Sequence, residues 1–273
     1  MIVLSQALLL SLAGSPNAND PLIGWHNLVV FGGIVADHED TLYPASNLSN
    51  PSTSIKQSWK SDSTSDQYVT FDISSDHEVD YVGIAGHNAG TGRIEITIEY
   101  PDTENPGEWL VLVEPFMPDT DAPLLLRFVG KFLEQIRIKL SPQSVAPRIA
   151  VVHVGALLVV HSRLYVDHKP ITLAPDVTVQ TNWSQGGDYL GSVLLNEKRS
   201  TAFGFKNLDP AWVRSTLKPF VAVSKKRPWF WSWRPAAYPL EVGYVIALND
   251  PQPVNQLPNG AMMIDFQVGG TAP

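Results

Sequence analysis

Strict period-two alternation runs through this chain, and it limits the possible folds more than any other feature. In residues 93–100, R-I-E-I-T-I-E-Y, Ile94, Ile96 and Ile98 share one face, while Arg93, Glu95, Thr97 and Glu99 share the other. Side chains alternate across a strand but return every 3.6 residues on a helix, so this pattern predicts a half-buried antiparallel strand. Residues 67–73 (Q-Y-V-T-F-D-I), 109–113 (W-L-V-L-V) and 135–140 (Q-I-R-I-K-L) read the same way. The run 149–160, I-A-V-V-H-V-G-A-L-L-V-V, is apolar at almost every position and predicts one long strand covered on both faces. Turn clusters separate these runs, among them Ser61-Asp62-Ser63-Thr64-Ser65-Asp66 and Pro118-Asp119-Thr120-Asp121. Short strands at this spacing predict an all-β chain built on a β-sandwich.

Composition agrees with that reading. The 22 prolines and 19 glycines favour turns over long helices. A net charge of -8 argues against a nucleic-acid backbone as partner, because that affinity comes from clustered Lys and Arg. With no cysteine there is no disulfide framework, thiol nucleophile or thiolate metal site. The first residues, M-I-V-L-S-Q-A-L-L-L-S-L-A-G-S-P, have the apolar length of a signal-peptide core, but no Lys or Arg precedes it. The favoured alternative is an apolar strand or arm that packs on a neighbour. No later segment has the ~20 uninterrupted apolar residues of a membrane span, and no membrane partner is expected.

After about residue 160 the strands continue, near 177–183, 189–195, 201–205, 228–234, 241–248 and 261–268. One helix is predicted at 209–218, with Asp209 as N-cap, Pro210 at the first helical position, and Pro219 ending or kinking it. The expected division is an arm at 1–23, a jelly roll at 24–160 that folds by itself, and a second β-rich domain with one helix at 161–273.

The ordered pieces of the first domain are Tyr43-P-A-S-N-Leu48, Trp59, Gln67-Y-V-T-F-D-Ile73, Val79-D-Y-V-G-I-Ala85, Glu108-Trp109, Arg127-Phe128 and Gln135-I-R-I-Lys139. This order resembles the discoidin or galactose-binding-like jelly roll, in which Trp59 caps one end of the sandwich. Further pieces are Leu22-I-G-W-H-N-Leu28, Val154-G-A-Leu157, Leu164-Y-V-D-H-K-Pro170, Tyr189-L-Gly191, Lys218-Pro219-Phe220, Pro228-W-F-W-S-W-R-Pro235 and Tyr238-P-L-E-V-G-Tyr244. Together they resemble tail-tip and baseplate proteins of long-tailed bacteriophages, which join such a jelly roll to a domain similar to the distal tail protein. The jelly roll here precedes the distal-tail-like domain, a departure that leaves the position in the tail open. The resemblance implies a non-enzymatic structural protein of the virion tail, assembled in the host cytoplasm. It implies a homo-oligomeric ring, such as a hexamer, that meets tail tube, hub, tape measure and fibres. The alternative is a carbohydrate-binding module contacting host surface glycans.

Candidate residues follow from these two readings. In 228–235, Trp229, Trp231 and Trp233 share one strand face, and Phe230, Ser232 and Arg234 the other. Core on one side and a subunit contact on the other fits this pattern, which makes Trp229, Phe230, Trp231, Trp233 and Arg234 the candidate oligomer interface. The stretch Gly86-His87-Asn88-Ala89-Gly90 ends an apolar run and reads as a framework turn. In the glycan reading, Trp59, His87 and Asn88 are the contacts. Asp37-His38-Glu39-Asp40 has oxygen ligands for calcium, but a solvated loop is the favoured reading. His153, His161 and His168 read as core or edge histidines. Neither a G-x-S-x-G elbow nor a phosphate-binding glycine loop is present, and no catalytic residue, cofactor or metal is expected.

Overall fold

The computed structural model describes residues 1–271 except 74–76, 165–167 and 257–259. The expected motif at Leu164–Pro170 therefore lies partly outside the described residues. In chain order the strands are β1 (Ile2–Leu4), β2 (Leu22–Gly24), β3 (Ile34–Ala36), β4 (Trp59–Lys60), β5 (Gln67–Asp72), β6 (Val79–Ala85), β7 (Glu95–Pro101), β8 (Trp109–Phe116), β9 (Leu124–Lys131), β10 (Gln135–Ser141), β11 (Arg148–Ile149), β12 (Val151–Gly155), β13 (Leu158–Val159), β14 (Pro175–Trp183), β15 (Tyr189–Leu208), β16 (Trp229–Ser232), β17 (Val242–Ala247), β18 (Val254–Asn255) and β19 (Met262–Thr271). Helices α1 (Gln6–Leu12), α2 (Pro210–Trp212) and α3 (Lys218–Ser224) complete the main elements.

A five-stranded sheet, ordered β3-β5-β10-β7-β8, faces a four-stranded sheet ordered β1-β9-β6-β12. Together they form a β-sandwich of the jelly-roll kind. The alternating residues meet between the sheets: Val69, Phe71, Ile96, Ile98, Ile136 and Ile138 from one side pack on Val82, Ile84, Leu124, Leu126 and Val152 from the other. Trp59 is fully buried in this core, and its indole N–H donates to the His38 carbonyl at 3.1 Å. On the outer side of β10, Arg137 pairs with Glu99 at 2.6 Å and lies over the Tyr68 and Trp109 rings, at 4.1 and 4.0 Å.

The four-stranded sheet has no solvent face. Its other side carries Tyr81, Ala85, Leu125 and Val151, which pack against Leu22, Phe230, Val242 and Tyr244 of a further, eight-stranded sheet. That sheet runs β13-β2-β16-β17-β19-β15-β14, with β18 paired to β19. Its far face buries Trp229, Trp231, Phe203, Phe205 and Phe266 under Val213, Leu217 and Phe220 of the helical segment. The layers are therefore five-stranded sheet, four-stranded sheet, eight-stranded sheet and helix. A middle sheet covered on both faces explains why β6 and β12 are apolar at nearly every position.

Several expectations change. The N-terminal residues pack on their own chain rather than on a neighbour. Ile2, Val3 and Leu4 pair in parallel with Leu125, Leu126 and Arg127, and residues 6–12 form a helix capped by Ser5. The run 149–160 is three short strands rather than one, because the chain leaves the middle sheet after Gly155 and joins the eight-stranded sheet at Leu158. Strand β2, before the jelly roll, also lies in the eight-stranded sheet, so the sheets cross both expected boundaries. Pro219 does not end the helix. Its missing N–H is absorbed by a π-type turn at Val213–Leu217, and the helix continues to Ser224.

Candidate functional site: a projecting hairpin and a jelly-roll depression

Strands β14 and β15 form a long antiparallel hairpin. Only the second half of β15, from Arg199 onward, pairs with β19. Its first half pairs with β14 alone, so the hairpin projects past the body of the sheet. The sequence explains its local order. Ser184 and Asp188 close the turn, with the Asp188 N–H donating to Ser184 Oγ at 2.9 Å and the Ser184 N–H donating to the Asp188 carbonyl at 2.8 Å. Trp183 and Tyr189 pack edge to face across the turn at 5.4 Å.

The surface of this hairpin is unusual for a free edge. Val177, Val179, Val193, Leu194 and Leu195 are all exposed, and near the tip Trp183 is 62% and Leu190 66% exposed. Cross-strand pairing puts Val179 opposite Leu194 and Trp183 opposite Tyr189. Residues 177–196 contain one charged side chain, Asp188. Strand β14 is the end of the eight-stranded sheet. Edge strands normally carry Lys, Pro or a bulge to block pairing with another chain; β14 has neither Lys nor Pro after Pro175, and its pairing with β15 shifts register at Thr178/Val179 and at Asn182/Trp183.

The expected interface residues divide. Trp229, Phe230 and Trp231 are fully buried inside the chain, which corrects their assignment to a subunit contact. Alternation on β16 is as expected, but both faces are internal. Trp229 and Trp231 enter the aromatic core, where Trp231 stacks on Phe203 at 4.2 Å, and Phe230 packs on the middle sheet. Trp233 and Arg234 lie past the strand and line a depression with Arg163 and Asp20. Trp233 stacks on Tyr238 at 5.2 Å and donates to Glu241, and Arg234 lies over the Trp233 ring.

At one end of the jelly roll, a depression of about 550 Å³ is lined by Tyr43, Ile55, Lys60, Asn88, Ser144, Val145, Ala146 and Arg148. Of the three residues expected to touch a glycan, only Asn88 lines it. Trp59 and His87 are buried, which corrects their assignment. His87 is framework: its Nε2 bonds the Ala122 carbonyl at 2.7 Å, and its Nδ1 accepts the Ala89 N–H at 3.2 Å. Burial pushes its pKa below the usual value. Asn88 braces the wall, donating to the Ala146 carbonyl at 3.0 Å and accepting from the Arg148 N–H at 2.8 Å. Gly86 makes the turn possible with φ +65°.

The acidic stretch 37–40 does not converge. Asp37, Glu39 and Asp40 accept backbone N–H groups from Tyr68, Ala45 and Leu42, and His38 pairs with Asp62. Among the described residues no three His, Asp or Glu side chains gather as a metal group. His153 lies between the Phe230 and Tyr244 rings, His161 pairs with Asp20, and His168 packs on Phe203, Trp231 and Trp233. No helix among the described residues is long and apolar enough to cross a membrane.

No family profile matches the chain, and no curated protein does. Solved structures resemble part of it. A chitosan-binding module from a Paenibacillus chitosanase/glucanase shares 17% identity, covering 48% of this chain and 100% of the module, at a TM-score of 0.40. A CBM32 module from Clostridium perfringens, solved with GalNAc-β-1,3-galactose, shares 13% over 45% of this chain and 94% of its own, at 0.39. A pectin-binding module shares 14% over 48% of this chain and 92% of its own, at 0.38.

Proposed function

We propose that this chain is a non-catalytic structural subunit that joins copies of itself through the β14–β15 hairpin into a ring. The observation that carries this is the hairpin: a sheet edge with no Lys, and no Pro beyond Pro175, nearly uncharged, with apolar side chains exposed along both strands. A second copy is the occupant it fits, because an open edge and an apolar hairpin on each subunit can satisfy those of the next, and head-to-tail contacts of this kind close into rings. The setting we propose is the tail tip or baseplate of a long-tailed bacteriophage, where the ring links the tail tube to host-recognition proteins. Support for that setting is the order of sequence pieces from Leu22 to Tyr244. The test is sedimentation of the wild type beside Val179→Asp and Leu194→Asp. The wild type should sediment as an oligomer, and each variant should fall to smaller species with an unchanged melting temperature. A wild type that stays monomeric at high concentration sinks the proposal.

A second reading is glycan binding by the jelly roll. It is of the same class as the modules named above, and the depression bordered by Tyr43, Lys60 and Arg148 supports it here. The two readings are compatible, since the hairpin and the depression use different sheets.

A further inference from the structure

We propose that the jelly-roll depression binds the carboxylate of an acidic sugar, of the uronic-acid class. This rests on the glycan-binding reading and specifies its ligand. The central observation is the pairing of β4 with β11, which sets Lys60 directly opposite Arg148. Both side chains line the depression. Like charges directly opposite on an antiparallel ladder repel one another, and a shared anion relieves that repulsion.

The acidic groups nearby do not supply that anion. Lys60 has Asp40 at a loose 3.9 Å, and among the described residues no carboxylate lies within 4.0 Å of the Arg148 guanidinium. Arg148 Nε is buried and has no hydrogen-bond partner. The backbone of Arg148 is held from both directions by Asn88, so its position is fixed before any ligand arrives. A planar guanidinium matches a carboxylate with two parallel bonds, while an ammonium beside it adds charge without geometry. Apolar surface completes the match to a sugar. Ile55 and Val145 are exposed on the rim, and the Tyr43 ring lies under Lys60 at 6.0 Å, offering a face for pyranose C–H groups. The chain as a whole carries -8, so this depression is a local exception to a field that repels anions.

Calorimetry with tetragalacturonate, β-1,4-galactotetraose and inorganic phosphate tests the proposal on the full chain. Tetragalacturonate should bind, more weakly as salt rises. The neutral sugar and phosphate should each bind at least about tenfold more weakly. Lys60→Gln and Arg148→Gln should each weaken tetragalacturonate by about tenfold. Lys60 is the more exposed of the pair, so Lys60→Gln preserves the fold. Without ligand its melting temperature should equal or exceed that of the wild type, because the repulsion is gone. Equal binding of the neutral sugar overturns the acidic specificity and leaves the glycan reading standing. Phosphate binding as tight as tetragalacturonate reduces the site to a simple anion site and overturns the proposal. Binding of neither sugar overturns both.

Discussion

Gly83 lies where the Phe230 ring presses on the middle sheet. A Cβ there would come within 2.4 Å of the ring, which no unstrained contact allows. Gly83→Ala should therefore cost about 1–3 kcal/mol in denaturant unfolding. Combined with Phe230→Leu, it should cost less than the sum of the two single changes. An additive pair would show that ring and glycine do not meet. His153 carries a different liability on the same layer. Burial lowers its pKa from 6.5 to about 4, with the Arg227 charge adding to the effect, and its Nδ1 has no partner. Between those values the unfolded chain binds a proton that the folded chain excludes. The contribution of His153 to stability is thus full above pH 6.5 and declines as pH falls toward 4. Asp80 acts in the opposite sense, since burial raises its pKa from 3.8 to about 6 and its folded form binds the extra proton. The informative quantity is the difference between wild type and His153→Leu. From pH 7 to pH 5 the wild type should lose roughly 2 kcal/mol more than the variant. Equal losses would place the imidazole in a more solvated site than the structure gives it.

At the scale of elements, the hairpin shows how far a local strand signal reaches. The sequence marks strands near 177–183 and 189–195, and both exist. It does not show that 189–195 and 201–205 fuse into one strand, β15, whose first half leaves the body. The signal was present all the same, as twenty residues from 177 to 196 with a single charge. Nothing in the first half of β15 enters a core cluster, whereas Phe203, Phe205 and Leu208 do. Replacing residues 178–195 by a two-residue Asn-Gly turn should therefore change unfolding free energy by no more than about 0.5 kcal/mol, the usual range for surface changes. It should also abolish self-association. A large loss of stability would mean that the hairpin folds back on its own body.

Across the whole molecule, the layers share faces, and this bears on whether the jelly roll stands alone. Residues 24–160 look self-sufficient in sequence because their alternating strands supply a complete inner core. The structure gives the opposite expectation. That fragment lacks β1, and it would expose Tyr81, Ala85, Leu125 and Val151, which the eight-stranded sheet now covers. Expressed alone, it should aggregate or bind a hydrophobic dye, while the full chain melts in one cooperative transition. A soluble fragment with a sharp transition would show that the shared face contributes little.

The sequence by itself determined the strand class, most strand positions in both halves, the framework turn at His87 and Asn88, and the helix start at Asp209. Each of these depends on neighbours in the chain: alternation, turn residues and caps act over a few positions. Only the tertiary structure decided which faces are covered. Trp229, Phe230 and Trp231 alternate as an exposed and buried pair of faces would, yet both faces are internal because the middle sheet covers Phe230 and the helical segment covers Trp229 and Trp231. The same limit hid the opposition of Lys60 and Arg148, which pairing across distant segments creates. Periodicity reports that a side chain points to one of two sides, whereas burial depends on what the rest of the chain places there.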